Sequence, residues 1–310
     1  MTFATDARSD LPLVLGGNVF GWTADRQESF RILDGFVDAG GSQVDTADVY
    51  SAWAEGNSGG ESETIIGEWI AKTGKRDKLF IGTKVGSLAG LDNLRASTIS
   101  KAVDDSLARL KTDYIDLYWA HQDDQSTPQE ETLTAFDALV KAGKVRYLGA
   151  SNFSADRLES ALKVSDANGL ARYAAIQPLY NLLDHAEFES GVGEVAEAHN
   201  LATLPYWGLA AGFLTGKYRR GTEVDSPRAS SVISRYANDR GYGVIDALDQ
   251  IAAARQAPIS AIALAWLNQQ STVLAPIASA RTAEQLPDLL AIKDITLSAD
   301  ELATLRRAAA

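Results

Sequence analysis

Asp45, Tyr50, Lys84 and His121 are four polar residues scattered over a 310-residue chain that together could run one reaction. A phenol has a reference pKa of roughly 10 and donates a proton poorly near neutrality; a neighbouring ammonium favours the phenolate and eases that donation. Lys84 would supply the charge to Tyr50. Asp45 would keep that lysine charged and oriented, and His121 would hydrogen-bond the substrate oxygen. The chemistry is general acid catalysis at a carbonyl.

Such a site requires elements that bring distant residues to one place. Asp45, Lys84 and His121 each follow a short apolar run that reads as a strand, and Tyr50 lies in the loop after Asp45. Further runs at 13–15, 146–149, 174–176, 201–204 and 272–275 raise the strand count to eight. Between them lie helical patterns, such as Ile32, Leu33, Phe36, Val37 and then Ile65, Ile66, Trp69, Ile70. Capping boxes are expected at Thr127, Thr282 and Ser298, with Glu130, Gln285 and Glu301 three residues on. Eight strands alternating with helices predict an α/β fold of the closed (β/α)8 TIM barrel type, a single domain over 1–310. Its strand ends gather at one face. No Gly-x-Gly-x-x-Gly follows the first strand, so the dinucleotide-binding open sheet lacks its fingerprint. The stretches 51–61 and 216–241 have no readable shape.

Composition narrows the classes. The chain is 45% apolar, enough for a full core. It has no cysteine, which excludes disulfides and thiolate chemistry, and its three histidines, His121, His185 and His199, stand at no metal-ligand spacing, so no metal is expected. A net charge of −12 disfavours nucleic acid and anionic membrane surfaces as partners. The first ten residues lack the features of a signal peptide, and no apolar run approaches the roughly 20 residues of a membrane span; a soluble, cytoplasmic protein is expected.

Several motifs then converge. Asp45-Thr46-Ala47-Asp48-Val49-Tyr50, SLARLKTDYIDLYWAH over 106–121, GKVRYLGASNF over 143–153, Ile176-Gln177-Pro178 and LPYWGLAAGFLTGKY over 204–218 resemble those of the aldo-keto reductase family, in family order across nearly the whole chain. The resemblance implies a (β/α)8 barrel that reduces aldehydes and ketones with a nicotinamide cofactor bound at the C-terminal face. It places the family tetrad on Asp45, Tyr50, Lys84 and His121. It also assigns Ser151, Asn152 and Gln177 to the nicotinamide carboxamide, Tyr206 to stacking on the nicotinamide ring, Ser279 and Arg281 to the adenosine 2′-phosphate, and Gln285 to the adenine. An arginine fork suits a phosphate dianion, so NADPH is expected over NADH. Leu289 stands where many relatives carry an asparagine beside the adenine.

Other readings stay open at particular residues. Gln285 fits equally as the capping partner of Thr282, and Lys217, Arg219 and Arg220 could close over a pyrophosphate or simply be solvated. Trp22, Trp53, Trp119 and Trp207 fall at or past strand ends, where they could wall a pocket for apolar or aromatic carbonyls; Trp119 fits as well in the core. The rival function on the same barrel is a nucleotide-binding regulatory subunit, like the potassium-channel β subunits.

Overall fold

The structure is a computed structural model that describes residues 3–7 and 9–310. Eight strands are present: β1 (Val14–Gly16), β2 (Gln43–Asp45), β3 (Phe80–Val85), β4 (Ile115–Ala120), β5 (Val145–Ser151), β6 (Tyr173–Gln177), β7 (Ala202–Thr203) and β8 (Ile277–Ala278). All neighbours pair in parallel, in the order β7-β6-β5-β4-β3-β2-β1-β8. The remaining seam closes through a parallel bridge between Thr203 and Val273, and through the Ile277 N–H donating to the Pro205 carbonyl at 2.9 Å. The architecture is a (β/α)8 barrel.

Strand eight differs from the expectation. The apolar run 272–275 lies along the seam with β7, whereas the ladder with β1 starts beyond Pro276, where Val14 pairs with Ile277. Hydrophobicity reported burial here, not pairing: Ala275 is fully buried, and Pro276 has no N–H to give a ladder.

Two apolar layers hold the barrel. Inside it, Val14, Leu117, Trp119, Ala175, Leu204 and Ile277 form one cluster. Trp119 fits because Gly149 faces it without a side chain; a Cβ there would lie 2.2 Å from the indole. The N-terminal helix Phe3–Asp6 closes the bottom, with the Phe3 ring 5.9 Å from Phe80 and 5.3 Å from Tyr147, and the Tyr147 hydroxyl donating to Asp6 at 2.6 Å. Outside, helices cover the sheet through faces such as Ile99, Ala102, Val103 and Leu110 of Ala96–Leu110. Burial of each larger side chain among them, Ile99, Val103 and Leu110, contributes roughly 1.5–3 kcal/mol. This helix meets Glu61–Thr73 at Gly67, where a Cβ would strike the Arg109 carbonyl at 2.0 Å.

Of the three expected capping boxes only Ser298 with Glu301 forms. The Thr127 hydroxyl donates to Asp124 instead, and Thr282 makes no side-chain cap. The stretch 216–241 contains a helix, Ala229–Tyr236, tied down by Arg235 and Tyr236, which both donate to Asp184, at 2.9 and 2.6 Å. The loop after β2 is held by the Ser51 hydroxyl on the Phe20 carbonyl and by the Asn57 amide on Gly21 and Ser51. Among the described residues no helix is long and apolar enough to cross a membrane.

Candidate active site

Asp45 is the last residue of β2, Lys84 the penultimate residue of β3, and His121 directly follows β4. Register fixes their proximity, since Asp45 pairs with Gly82 and Lys84 with Trp119 on adjacent strands. The Lys84 ammonium is fully buried and uses all three of its protons: on Asp45 Oδ2 at 2.5 Å, on the Thr46 carbonyl at 2.8 Å and on the Tyr50 hydroxyl oxygen at 2.8 Å. Tyr50 therefore accepts from Lys84. Its own proton has only Asp45 Oδ2 within reach, at 3.4 Å, which is too long to hold it firmly. The phenol hydrogen is thus left with room for a further acceptor. Its ring stands 6.1 Å from that of His121, at 75°.

The electrostatic balance differs from expectation. Burial, then the Asp45 carboxylate, push the Tyr50 phenol well above its ordinary value, so it keeps its proton near neutrality. Burial pulls Lys84 down while Asp45 opposes it. His121 is pushed down to about 3, first by burial and then by Lys84, which makes it a neutral imidazole near pH 7. A neutral ring can still donate one N–H to a substrate oxygen. Its Nδ1 is buried and finds no protein partner.

These residues open into a cavity of about 710 Å³, inside the roughly 300–1,000 Å³ of small-molecule and cofactor sites. Asp45, Tyr50 and His121 lie on its wall, as do Ser151, Asn152, Gln177, Tyr206, Ser279, Arg281 and Gln285; Lys84 sits behind Tyr50. Gln177 donates its amide to Asp45 Oδ1 at 2.8 Å, and among the described residues its side-chain carbonyl accepts no hydrogen bond. Asn152 donates to the His121 carbonyl and accepts from the Tyr206 hydroxyl, so it braces both. Ser151 donates to the Gln177 carbonyl and Ser279 to Asn18 Oδ1. Gln285 does not cap Thr282; its side chain accepts from the Arg281 backbone N–H at 2.9 Å.

Of the basic residues opening the long loop, only Lys217 lines the cavity, because Arg219 is paired with Asp249 and Arg220 with Asp239. A further residue on the wall, Arg228, gave no sequence signal; it stacks over Trp22 at 4.9 Å. Lys217, Arg228 and Arg281 all face the cavity with no ion pair among the described residues. Three uncompensated cations on one wall suit a polyanion.

Trp22, Trp53 and Trp207 also line the cavity, with Trp22 and Trp53 edge to face at 5.7 Å. Trp53 is 48% exposed and Trp207 39%, an unusual placement for large apolar rings that makes an aromatic rim at the mouth. Trp119 is off the cavity, fully buried inside the barrel, where its indole packs over Gly149 on the neighbouring strand. Backbone strain gathers here too. Of the eight non-glycine residues with positive φ among the described residues, Lys111, Asn200 and Gln256 end helices, whereas Asn152, Trp207 and Ala211 line the cavity and Ser51 and Ala210 are next in sequence to residues that line it or lie between them. Such conformations cost about 1–3 kcal/mol each and collect at ligand clamps. No cluster of three or more His, Cys, Asp or Glu among the described residues could hold a metal ion.

Comparison with known proteins gives the same direction. The Aldo/keto reductase family model matches residues 12–310. Protein tas of Escherichia coli (strain K12) is 32% identical, over 94% of this chain and 92% of its own. The aldo-keto reductase YhdN of Bacillus subtilis (strain 168) is 31% identical, over 93% of this chain and 85% of its own. The norsolorinic acid reductase stcV of Emericella nidulans is 30% identical, over 94% and 76% respectively.

Proposed function

This chain belongs to the aldo/keto reductase family, and from that premise we propose that it reduces aldehydes and ketones to alcohols with NADPH, Tyr50 giving the proton. The observation that carries the reading is the arrangement at Tyr50: a phenol that accepts from a buried ammonium at 2.8 Å and has its own proton almost free, on the wall of a cavity.

The cavity fits a nicotinamide dinucleotide. The unpartnered Gln177 carbonyl, with Ser151 and Asn152, would hold a carboxamide beside Tyr206, and Lys217, Arg228 and Arg281 would take phosphates. Arg281, free of any carboxylate, is the residue on which the preference for NADPH over NADH rests. When bound, the cofactor supplies the hydride.

The protein supplies the rest. The carbonyl oxygen lies between the Tyr50 hydroxyl and the neutral His121, both of which donate to it. As negative charge develops there, the oxygen becomes a stronger base than the phenolate, and the Tyr50 proton crosses. Lys84 stabilises the phenolate left behind, and Asp45 fixes Lys84. In oxidation the same phenol must first lose its proton, so the optimum moves to higher pH. Trp22, Trp53 and Trp207 favour flat, apolar carbonyl compounds over small charged ones.

The test is NADPH oxidation, followed by absorbance, with a panel of aldehydes, ketones and dicarbonyls, run beside NADH. Turnover with NADPH supports the reading and ranks the substrates. Tight NADPH binding with no turnover of any carbonyl overturns it in favour of a regulatory barrel.

A further inference from the structure

Behind the Tyr50 cluster, between sheet and helices, lies a buried carboxyl group that the reaction above does not use. Asp48 is fully enclosed, and neither of its side-chain oxygens makes a well-formed hydrogen bond among the described residues, although the neighbouring Val49 N–H lies close enough to favour the charged form weakly. An orphaned charge in such a place has lost its hydration and gained no partner, which sets the group against ionising.

The charges around it decide the matter. Glu63, on the helix Glu61–Thr73, is fully buried and accepts from the Thr83 hydroxyl at 2.5 Å and from Arg109 Nε at 2.6 Å. Arg109, on the helix Ala96–Leu110, is thereby committed to Glu63, and Lys84 of β3 to Asp45. From β4 comes Tyr118, fully buried, its hydroxyl also without a partner. Asp45, Asp48 and Glu63 are three carboxyl groups against two cations, each cation already bonded to another carboxylate. Neutrality in this enclosed wall requires one proton on a carboxyl, and Asp48 is the one of the three with no side-chain donor to stabilise its charge.

We infer that Asp48 holds a proton in the resting protein, and that losing it weakens Tyr50 as a proton donor by placing an uncompensated negative charge beside Lys84. The charge reaches the phenol through Lys84, whose field it partly cancels, so Asp48 is a positioning residue and not one that touches substrate. Burial, and next the charge of Glu63, push its carboxyl up to about 7, while Arg109, the Val49 N–H and Lys84 pull the other way; the loss therefore falls in the physiological range. The coupling rests on the proposed reductase reading, but the location of the proton does not.

Three measurements on the full-length protein separate these parts. Infrared spectra of the wild type from about pH 5 to pH 9 should show a buried protonated-carboxyl band that titrates near neutrality and that Asp48→Asn removes. Stability gives a second, activity-free readout. A raised folded-state pKa means that the folded form keeps a proton which the unfolded chain releases above its ordinary value of 3.8, so the wild type loses stability as pH rises from there towards 7. The melting-temperature difference should accordingly widen in favour of Asp48→Asn over that window.

Third, kcat for carbonyl reduction in the wild type should fall about three- to tenfold through the same ionisation, the factor for half to one unit of change at Tyr50. Asp48→Asn should lack that inflection. No protonated-carboxyl band in the acidic wild type would overturn the inference, and so would an inflection that persists in Asp48→Asn. Should the variant not fold, the wild-type titration decides alone. A titrating band without turnover of any carbonyl supports the proton assignment and counts only against the reductase reading.

Discussion

Replacing Tyr50 by Phe removes one oxygen from the cavity wall and leaves the ring that packs beside Trp53 and His121. The oxygen receives one hydrogen bond from Lys84, at 2.8 Å, and makes one long contact with Asp45 at 3.4 Å. Lys84 keeps its bonds to Asp45 and the Thr46 carbonyl, so the loss to folding is at most that of one charge-assisted bond, about 1.5–3 kcal/mol. Catalysis should suffer far more. Positioned general acids contribute about 10²- to 10⁴-fold, and His121, neutral with a folded-state value of about 3, has no spare proton to give in its place. The variant should therefore lose about 10²–10⁴ in kcat for reduction while binding NADPH as the wild type does, since the phosphate-facing residues are untouched. Fluorescence titration reads the binding and steady-state NADPH oxidation reads kcat. A kcat within about tenfold of the wild type would show that proton donation from Tyr50 is not what limits the reaction.

Three further outcomes are expected. Lys84→Met leaves the buried Asp45 carboxylate without its cation and should destabilise the protein by about 3–5 kcal/mol; chemical denaturation should show the Asp45→Asn/Lys84→Met double variant recovering part of this, and a double variant no more stable than the single would refute the pairing argument. Arg281→Ala should raise the Kd for NADPH about 10- to 100-fold, the equivalent of one charge-assisted contact, and leave NADH within error; equal weakening of both would place the 2′-phosphate elsewhere. Trp53→Ala and Trp207→Ala should raise KM for aromatic carbonyls more than for short aliphatic ones, and unchanged KM values across the panel would remove these rings from the substrate pocket.

The chain by itself determined the alternation of strands and helices, because apolar periodicity and turn chemistry are local. It was enough to number eight strands and to put Asp45, Lys84 and His121 at strand ends. The order of the motifs carried the family, which the comparisons then showed over residues 12–310. Where local signals misled, the cause was tertiary. The apolar run 272–275 lies on the seam with β7 while the ladder with β1 begins after Pro276.

Only the tertiary structure decided the electrostatics. Lys84 alone predicts an easier proton from Tyr50, yet enclosure raises the phenol, because desolvation depends on everything packed around a group. Arg228 was invisible in a stretch without periodicity, and it reached the cavity wall because the 216–241 segment folds back over Trp22. Asp48 read as one more letter of a motif. Its lack of a side-chain partner follows from how helices Glu61–Thr73 and Ala96–Leu110 pack on β3 and β4, committing Arg109 to Glu63 and leaving no cation for the third carboxyl among the described residues. Spacing along a chain can name the groups that react; charge balance in a closed wall depends on which groups share it, and that is settled only when the chain has folded.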